Sequence, residues 1–214
     1  MSAEIEAEKQ RAAEAAAELV TDGMRVGLGT GSTVNHLLPA LAARRLEIRC
    51  VATSPRTERA ARELGISVEP FADLDRLEIA IDGADQVAPD GWLVKGGGGA
   101  HTREKIVAAA AERFVVIADS GKPVERIRAP VPLELHRFGL RATLRELGTV
   151  ELRDADPTPD GGLIADYTGE VGDPVLLAAR LAAVPGVVEH GLFPPALVSE
   201  VLIGRGGEVE RLAV

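Results

Sequence analysis

Two carboxylates, Asp82 and Asp85, bracket the stretch Asp82-Gly83-Ala84-Asp85. Asp-Gly is a turn signal in itself. At a strand end the pair could also exchange protons, accept hydrogen bonds from hydroxyls or hold a divalent cation. With no histidine beside them, the cation is the weakest of these readings. Lys95 then opens Lys95-Gly96-Gly97-Gly98-Gly99-Ala100-His101, and Glu104 follows at the start of a helical pattern. A flexible linker would be longer and more polar than this run, which has apolar residues on both sides. Bare backbone lets a ligand approach closely and offers N–H donors to a developing oxyanion. Taken alone, Glu104 reads first as a solvated glutamate favoured by the helix dipole and second as a base. His101 reads as a surface loop residue.

Two further stretches offer charge or donors to an anion. Gly27–Leu38, "GLGTGSTVNHLL", passes from a strand into a helix and supplies N–H groups, hydroxyls and a helix dipole. It lacks the Gly-Lys-Ser/Thr ending of a P-loop. As a dinucleotide fingerprint it carries Ser32 in place of the last glycine, and Thr53-Ser54 stand where a ribose-binding acid belongs. A phosphate monoester site, a tight turn and a dinucleotide site stay open, in that order. Ala118–Val124, "ADSGKPV", sets Lys122 in a polar turn, where it is either solvated or caps a phosphate.

The elements around these loops alternate. Helical patterns cover Ile5–Val20, Val34–Arg44, Thr57–Leu64 and Arg103–Glu112. Strand patterns cover Arg25–Leu28, Ile48–Thr53, Val68–Pro70, Ile79–Ile81, Trp92–Val94 and Phe114–Ala118. Such alternation predicts an α/β fold with a Rossmann-like, mostly parallel sheet, whose ligands bind outside the C-terminal strand ends. After Pro123 the order becomes strand Pro132–Leu135, helix Gly139–Leu147, strands Val150–Arg153 and Leu163–Tyr167, helix Pro174–Val184 and strand Gly186–Leu192. That is the pattern of a smaller ferredoxin-like α+β domain. Leu197–Ile203 and Val209–Leu212 read as strands returning to the first domain. The expected division is residues 1–128 with 204–214 for the α/β domain and 129–203 for the small one.

Composition narrows the function classes. A chain of 214 residues with 46% hydrophobic and 27% charged residues can bury a core of Val, Leu, Ile and Ala. The single cysteine, Cys50, excludes an internal disulfide and a cysteine zinc cage, and its apolar run predicts a buried thiol. No stretch resembles a signal peptide or approaches the roughly 20 apolar residues of a membrane span, so a cytoplasmic protein without a membrane partner is expected. The net charge of −9 with no basic stripe argues against nucleic acid. It also means that an anionic substrate would need a locally positive pocket.

Together, "GLGTGSTV", "DGAD", "KGGGGAHTREK" and "ADSGK", with Val184–Phe193 "VPGVVEHGLF", resemble the signatures of the type A ribose-5-phosphate isomerases, and the resemblance covers essentially the whole chain. It implies interconversion of D-ribose 5-phosphate and D-ribulose 5-phosphate in the non-oxidative pentose phosphate pathway, without metal or organic cofactor. Thr30, Gly31, Ser32, Thr33 and Lys122 would hold the phosphate, with Lys9 a possible addition. Asp82, Gly83, Ala84, Asp85, Lys95, Gly96, Gly97 and Gly98 would bind the sugar, and Asp82, Asp85 and Lys95 would assist ring opening. Glu104 would carry the proton. The resemblance also implies a homodimer or homotetramer, with the small domain as the contact surface. The run of four glycines followed by Ala100-His101 departs from the family pattern, and Arg56 adds a possible phosphate contact.

Three other classes fit less well. A sugar-phosphate sensor regulating transcription would need a DNA-binding module and would leave Glu104 unused. A nucleotide-dependent oxidoreductase would need the missing fingerprint acid. An acyl or CoA transferase would not call for an Asp pair with a lysine.

Overall fold

The computed structural model describes residues 3–74 and 76–214. In chain order the elements are α1 (Ala3–Ala17), β1 (Arg25–Leu28), α2 (Val34–Arg44), β2 (Arg49–Ala52), α3 (Pro55–Glu63), β3 (Leu77–Gly83), β4 (Gln86–Val87), β5 (Leu93–Val94) and α4 (His101–Ala109). They continue as β6 (Ala111–Asp119), β7 (Val131–Leu135), α5 (Leu140–Leu147), β8 (Val150–Leu152), β9 (Leu163–Tyr167), α6 (Pro174–Ala182), β10 (Val187–His190), β11 (Leu192–Phe193), β12 (Glu200–Arg205) and β13 (Glu208–Ala213). Single 3-10 turns lie at Phe71–Asp73 and Pro195–Leu197.

The chain forms two compact units. The first comprises Met1–Ala84, Arg103–Lys122 and Ala196–Val214. Its six-stranded sheet has the order β13-β12-β6-β3-β1-β2, parallel throughout except for the β12–β13 hairpin. Val, Leu and Ile of β1, β3, β6 and β12 are buried beneath the helices, as both faces of a parallel sheet require. Small side chains let α1 settle closely. Ala12, Ala13, Ala16 and Ala17 are buried, and α1 packs on β6, β12 and α2. A Cβ at Gly204 of β12 would stand 2.0 Å from the Glu8 carbonyl oxygen, so only glycine admits the helix there. Cys50 belongs to this core, and burial pushes its thiol up to about 12.

The second unit comprises Asp85–Thr102 and Pro123–Pro195. It holds an antiparallel four-stranded sheet, β10-β7-β9-β8, and a three-stranded sheet, β11-β5-β4. Val131, Leu133, Leu135, Leu177 and Leu181 lie in its core. The division drawn from the sequence placed residues 85–102, 123–128 and 196–203 differently. Residues 123–128 group with the second unit, where Pro123 bridges to Val87 and the Val124 N–H donates to the Val87 carbonyl at 2.9 Å. Residues 85–102 group with the second unit because β4 and β5 pair with β11 rather than with the large sheet. Residues 196–203 group with the first because β12 pairs along β6.

Several local differences have plain causes. The helix expected to reach Glu112 ends at Ala109, because Ala111 already pairs with Leu77 as β6 extends along the full length of β3. Val68–Pro70 reduces to a single bridge between Cys50 and Val68. The strand read over Gly186–Leu192 divides between two sheets. It breaks at Gly191, whose N–H donates to the Pro132 carbonyl at 2.7 Å.

Candidate active site

In the first unit the chain steps from β1 to β2 on one side of the sheet and later enters β3 on the other side of β1. The C-terminal ends of β1 and β3 therefore border the point where strand order reverses, where open α/β sheets bind ligands. Gly29–Thr33 leaves β1 at this edge, and Asp82 lies near the end of β3. The Thr30 N–H donates to Asp82 Oδ1 at 3.0 Å, and the Gly83 N–H donates to the same oxygen at 2.7 Å. Asp82 is 3% exposed. A Cβ on Gly29 would lie 2.0 Å from the Asp82 carboxyl, so glycine lets the two strand ends close on each other.

The loop after β1 is braced from α3. Ser54 caps that helix by accepting from the Thr57 N–H at 3.2 Å. The Thr57 hydroxyl donates to the Gly29 carbonyl at 2.9 Å, and the Thr30 and Thr53 hydroxyls share a 2.8 Å hydrogen bond. Gly31 has φ +129°, in the range that favours glycine. Gly31 and Ser32 are exposed, and Thr33 begins α2 without a side-chain cap bond or an acid in the first turn. The positive end of α2 is thus left for an anion from outside the helix.

Glu104 departs from its first reading as a solvated residue, being only 4% exposed. Val107, three residues on, lies against Gly27 of β1, where a Cβ would meet its Cγ1 at 2.4 Å. Residues three apart share a helix face, so Glu104 is on the face of α4 turned to the sheet. The helix runs on toward the start of β6, so Glu104 is displaced from Val107 toward the C-terminal strand ends. The spacing of Glu104, Val107 and Ala108 carried this signal in the sequence.

Lys122 is half-buried in the loop after β6, its N–H donating to the Asp119 carbonyl at 3.1 Å. The sequence reading missed the residue that holds this loop. Glu8 of α1, 3% exposed, accepts from the Ser120 N–H at 3.0 Å and from the Gly206 N–H at 2.8 Å. Hydrogen bonds from Ser120, then from the Gly206 N–H, hold its carboxyl below the usual carboxylate range. Lys9 is buried and paired with Glu6 at 2.9 Å, and Glu6 also meets His36 Nε2 at 2.9 Å. Arg56 is exposed near the start of α3.

In the second unit, Lys95 is 2% exposed. Its ammonium lies 5.4 Å from the centre of the Phe193 ring, a cation–π contact. Its N–H donates to the Gly191 carbonyl at 2.9 Å, and a Cβ on Gly191 would stand 2.1 Å from the Lys95 carbonyl oxygen. The stretch "VPGVVEHGLF" thus holds the lysine through Gly191 and Phe193. The Gly97 N–H donates to Asp85 Oδ2 at 2.7 Å, which joins two predicted site residues. His101, read as a surface residue, is fully buried; Nε2 lies 3.3 Å from the Glu189 carbonyl oxygen, and a Cβ on Gly96 would meet Nδ1 at 2.6 Å.

Among the described residues no group of three or more His, Cys, Asp or Glu side chains is arranged to hold a metal ion. No helix among them is long and apolar enough to cross a membrane.

The family model for ribose 5-phosphate isomerase A (phosphoriboisomerase A) matches residues 49–208. A ribose-5-phosphate isomerase A of Caulobacter sp. strain K31 is 44% identical over 220 residues, covering 96% of this chain and 97% of the relative. The crystal structure of ribose 5 phosphate isomerase A from Neisseria gonorrhoeae superposes with a TM-score of 0.93 at 33% identity, covering 98% of this chain and 97% of that one. A D-ribose-5-phosphate isomerase solved in complex with phospho-erythronic acid superposes with a TM-score of 0.93 at 31% identity, covering both chains completely (100% each).

Proposed function

The chain belongs to the ribose 5-phosphate isomerase A family, enzymes that isomerise a pentose phosphate, and from that premise we propose that it interconverts D-ribose 5-phosphate and D-ribulose 5-phosphate through an enediolate with Glu104 as proton carrier. It would do so in the cytoplasm, in the non-oxidative pentose phosphate pathway. The observation that carries the assignment is the burial of Glu104 on the sheet-facing side of α4. It shares that face with Val107, Ala108 and the buried His101, so the carboxylate is kept from bulk water near the C-terminal strand ends, where open α/β sheets bind their ligands.

In this reading the Glu104 carboxylate takes the proton from C2 of the open-chain aldose and returns it at C1. Lys95 and the N–H groups of the glycine run stabilise the negative oxygen of the enediolate. Asp82 and Asp85 accept hydrogen bonds from sugar hydroxyls and move the proton needed for ring opening. Thr30–Thr33, the open N-terminus of α2 and Lys122 hold the phosphate, whose binding orients C1 and C2 against the base. The complex of a structurally similar isomerase with phospho-erythronic acid supports a phosphorylated sugar skeleton as ligand.

The test is formation of ketose from ribose 5-phosphate by the native protein in EDTA. Turnover is expected; its absence in a folded protein would remove the isomerase reading. A homodimer or homotetramer is proposed as well. The exposed Phe138 and Leu176 of the second unit, 88% and 69% exposed, are apolar surface that association would cover. A monomer in analytical ultracentrifugation would overturn it.

A further inference from the structure

The backbone of the glycine run has little intrinsic preference to restrain it, and one turn bond within it, from Gly99 to Gly96, leaves most of its peptide planes to be fixed from outside. Within the second unit a residue distant in sequence supplies the restraint. Arg153, just after β8, donates from Nε and Nη2 to Asp166 Oδ2 and Oδ1, both at 2.6 Å. Its remaining terminal nitrogen, Nη1, donates to the carbonyl oxygens of Gly96 and Gly97, both at 3.0 Å. The Gly96 carbonyl also accepts from the Gly99 N–H at 3.0 Å, so two donors hold it.

The peptide plane makes this contact directional. In a trans peptide the carbonyl and the following N–H point in opposite directions. The plane joining Gly96 and Gly97 offers its oxygen to Arg153 and its N–H to Asp85 Oδ2 at 2.7 Å. Arg153 and Asp85 therefore grip opposite ends of one plane. The next plane, joining Gly97 and Gly98, sends its oxygen to the same Nη1, so the Gly98 N–H also points away from the guanidinium.

We propose that Arg153, locked in place by Asp166, is a positioning residue that aims two consecutive peptide N–H groups: that of Gly97 at Asp85 and that of Gly98 at an oxygen of the bound sugar phosphate. The identity of the ligand rests on the isomerase reading; the clamp does not. Arginine suits the task because its planar fork serves a carboxylate on one side and two carbonyls on another, which a lysine ammonium cannot reproduce.

The test compares the native protein with Arg153→Ala and Arg153→Lys in two readouts. The first is kcat and KM for ribose 5-phosphate. Arg153→Ala should lose about a hundredfold in kcat with a much smaller change in KM, because misaimed donors act mainly on the transition state. Added guanidinium should restore part of the loss, which a general structural defect would not allow. The second is amide hydrogen exchange, in which Gly97, whose N–H is held on Asp85, should exchange faster in the variant. A kcat within about twofold of native would overturn the proposal, and so would unchanged exchange at Gly97. If Arg153→Ala does not fold, Arg153→Lys is read in its place with the same outcomes. A native protein without isomerase activity would overturn the isomerase reading, while exchange at Gly97 would still decide the clamp.

Discussion

A glutamate in the first turn of a helix ordinarily stays in water, where the dipole already favours it. Glu104 is instead turned to the sheet by the same spacing that seats Val107 on Gly27. Its residue type was legible as chemistry, and its face was readable from the helical period. The partners of Lys95 were not readable, because Gly191 and Phe193 reach it through strand pairing between β5 and β11. Arg153 and Glu8 escaped notice for the same reason: each acts on a loop far away in sequence. At this scale the account predicts that Lys122→Ala raises KM for ribose 5-phosphate about tenfold or more and lowers kcat far less, as expected for a group that only holds phosphate. Steady-state kinetics check it, and an unchanged KM would take Lys122 out of the site.

Between elements, close approach matters more than side-chain identity. Loop, helix and strand order could be read because apolar periodicity and glycine punctuation are local signals. The ends of α4 and the division of the last strand of the small unit could not, since pairing length along β3 and the turn at Gly191 decide them. Gly29→Ala tests the contact between the β1 loop and β3. The added Cβ would fall on the Asp82 carboxyl, with 2.0 Å between them, so the loop or the carboxylate must move. A stability cost of about 1–3 kcal/mol is expected in denaturant unfolding, together with a fall in kcat/KM. A variant of native stability and activity would mean that the contact yields without consequence.

For the whole molecule, carboxylates held below their ordinary range by hydrogen bonds and ion pairs, Glu78 and Glu8 among them, contribute to the response to acid. Arg25, through its side-chain hydrogen bonds, holds the Glu78 carboxyl down at about 2 against an ordinary 4.5. Glu8 is lowered too. Because both folded values lie below the unfolded ones, the stability they add is complete above about pH 4.5 and is lost as pH falls toward the folded values. Glu78→Gln should cost roughly 1–2 kcal/mol at neutral pH and flatten the loss of stability between pH 4.5 and 2, as followed by urea unfolding. Cys50 gives an independent gauge. Buried, with its thiol pushed up to about 12, it should react with a disulfide reagent only as fast as the first unit opens. Prompt labelling of the native protein would contradict that burial.

The most direct test of the central claim is the rate of ribose 5-phosphate isomerisation by Glu104→Gln beside the native protein, with EDTA in both and fold checked by circular dichroism. The account predicts a loss of at least about a thousandfold in kcat while the sugar phosphate still binds, because glutamine keeps the shape of the side chain but cannot take a proton from C2. A folded Glu104→Gln that retained most of the native rate would contradict it and hand the proton to another group.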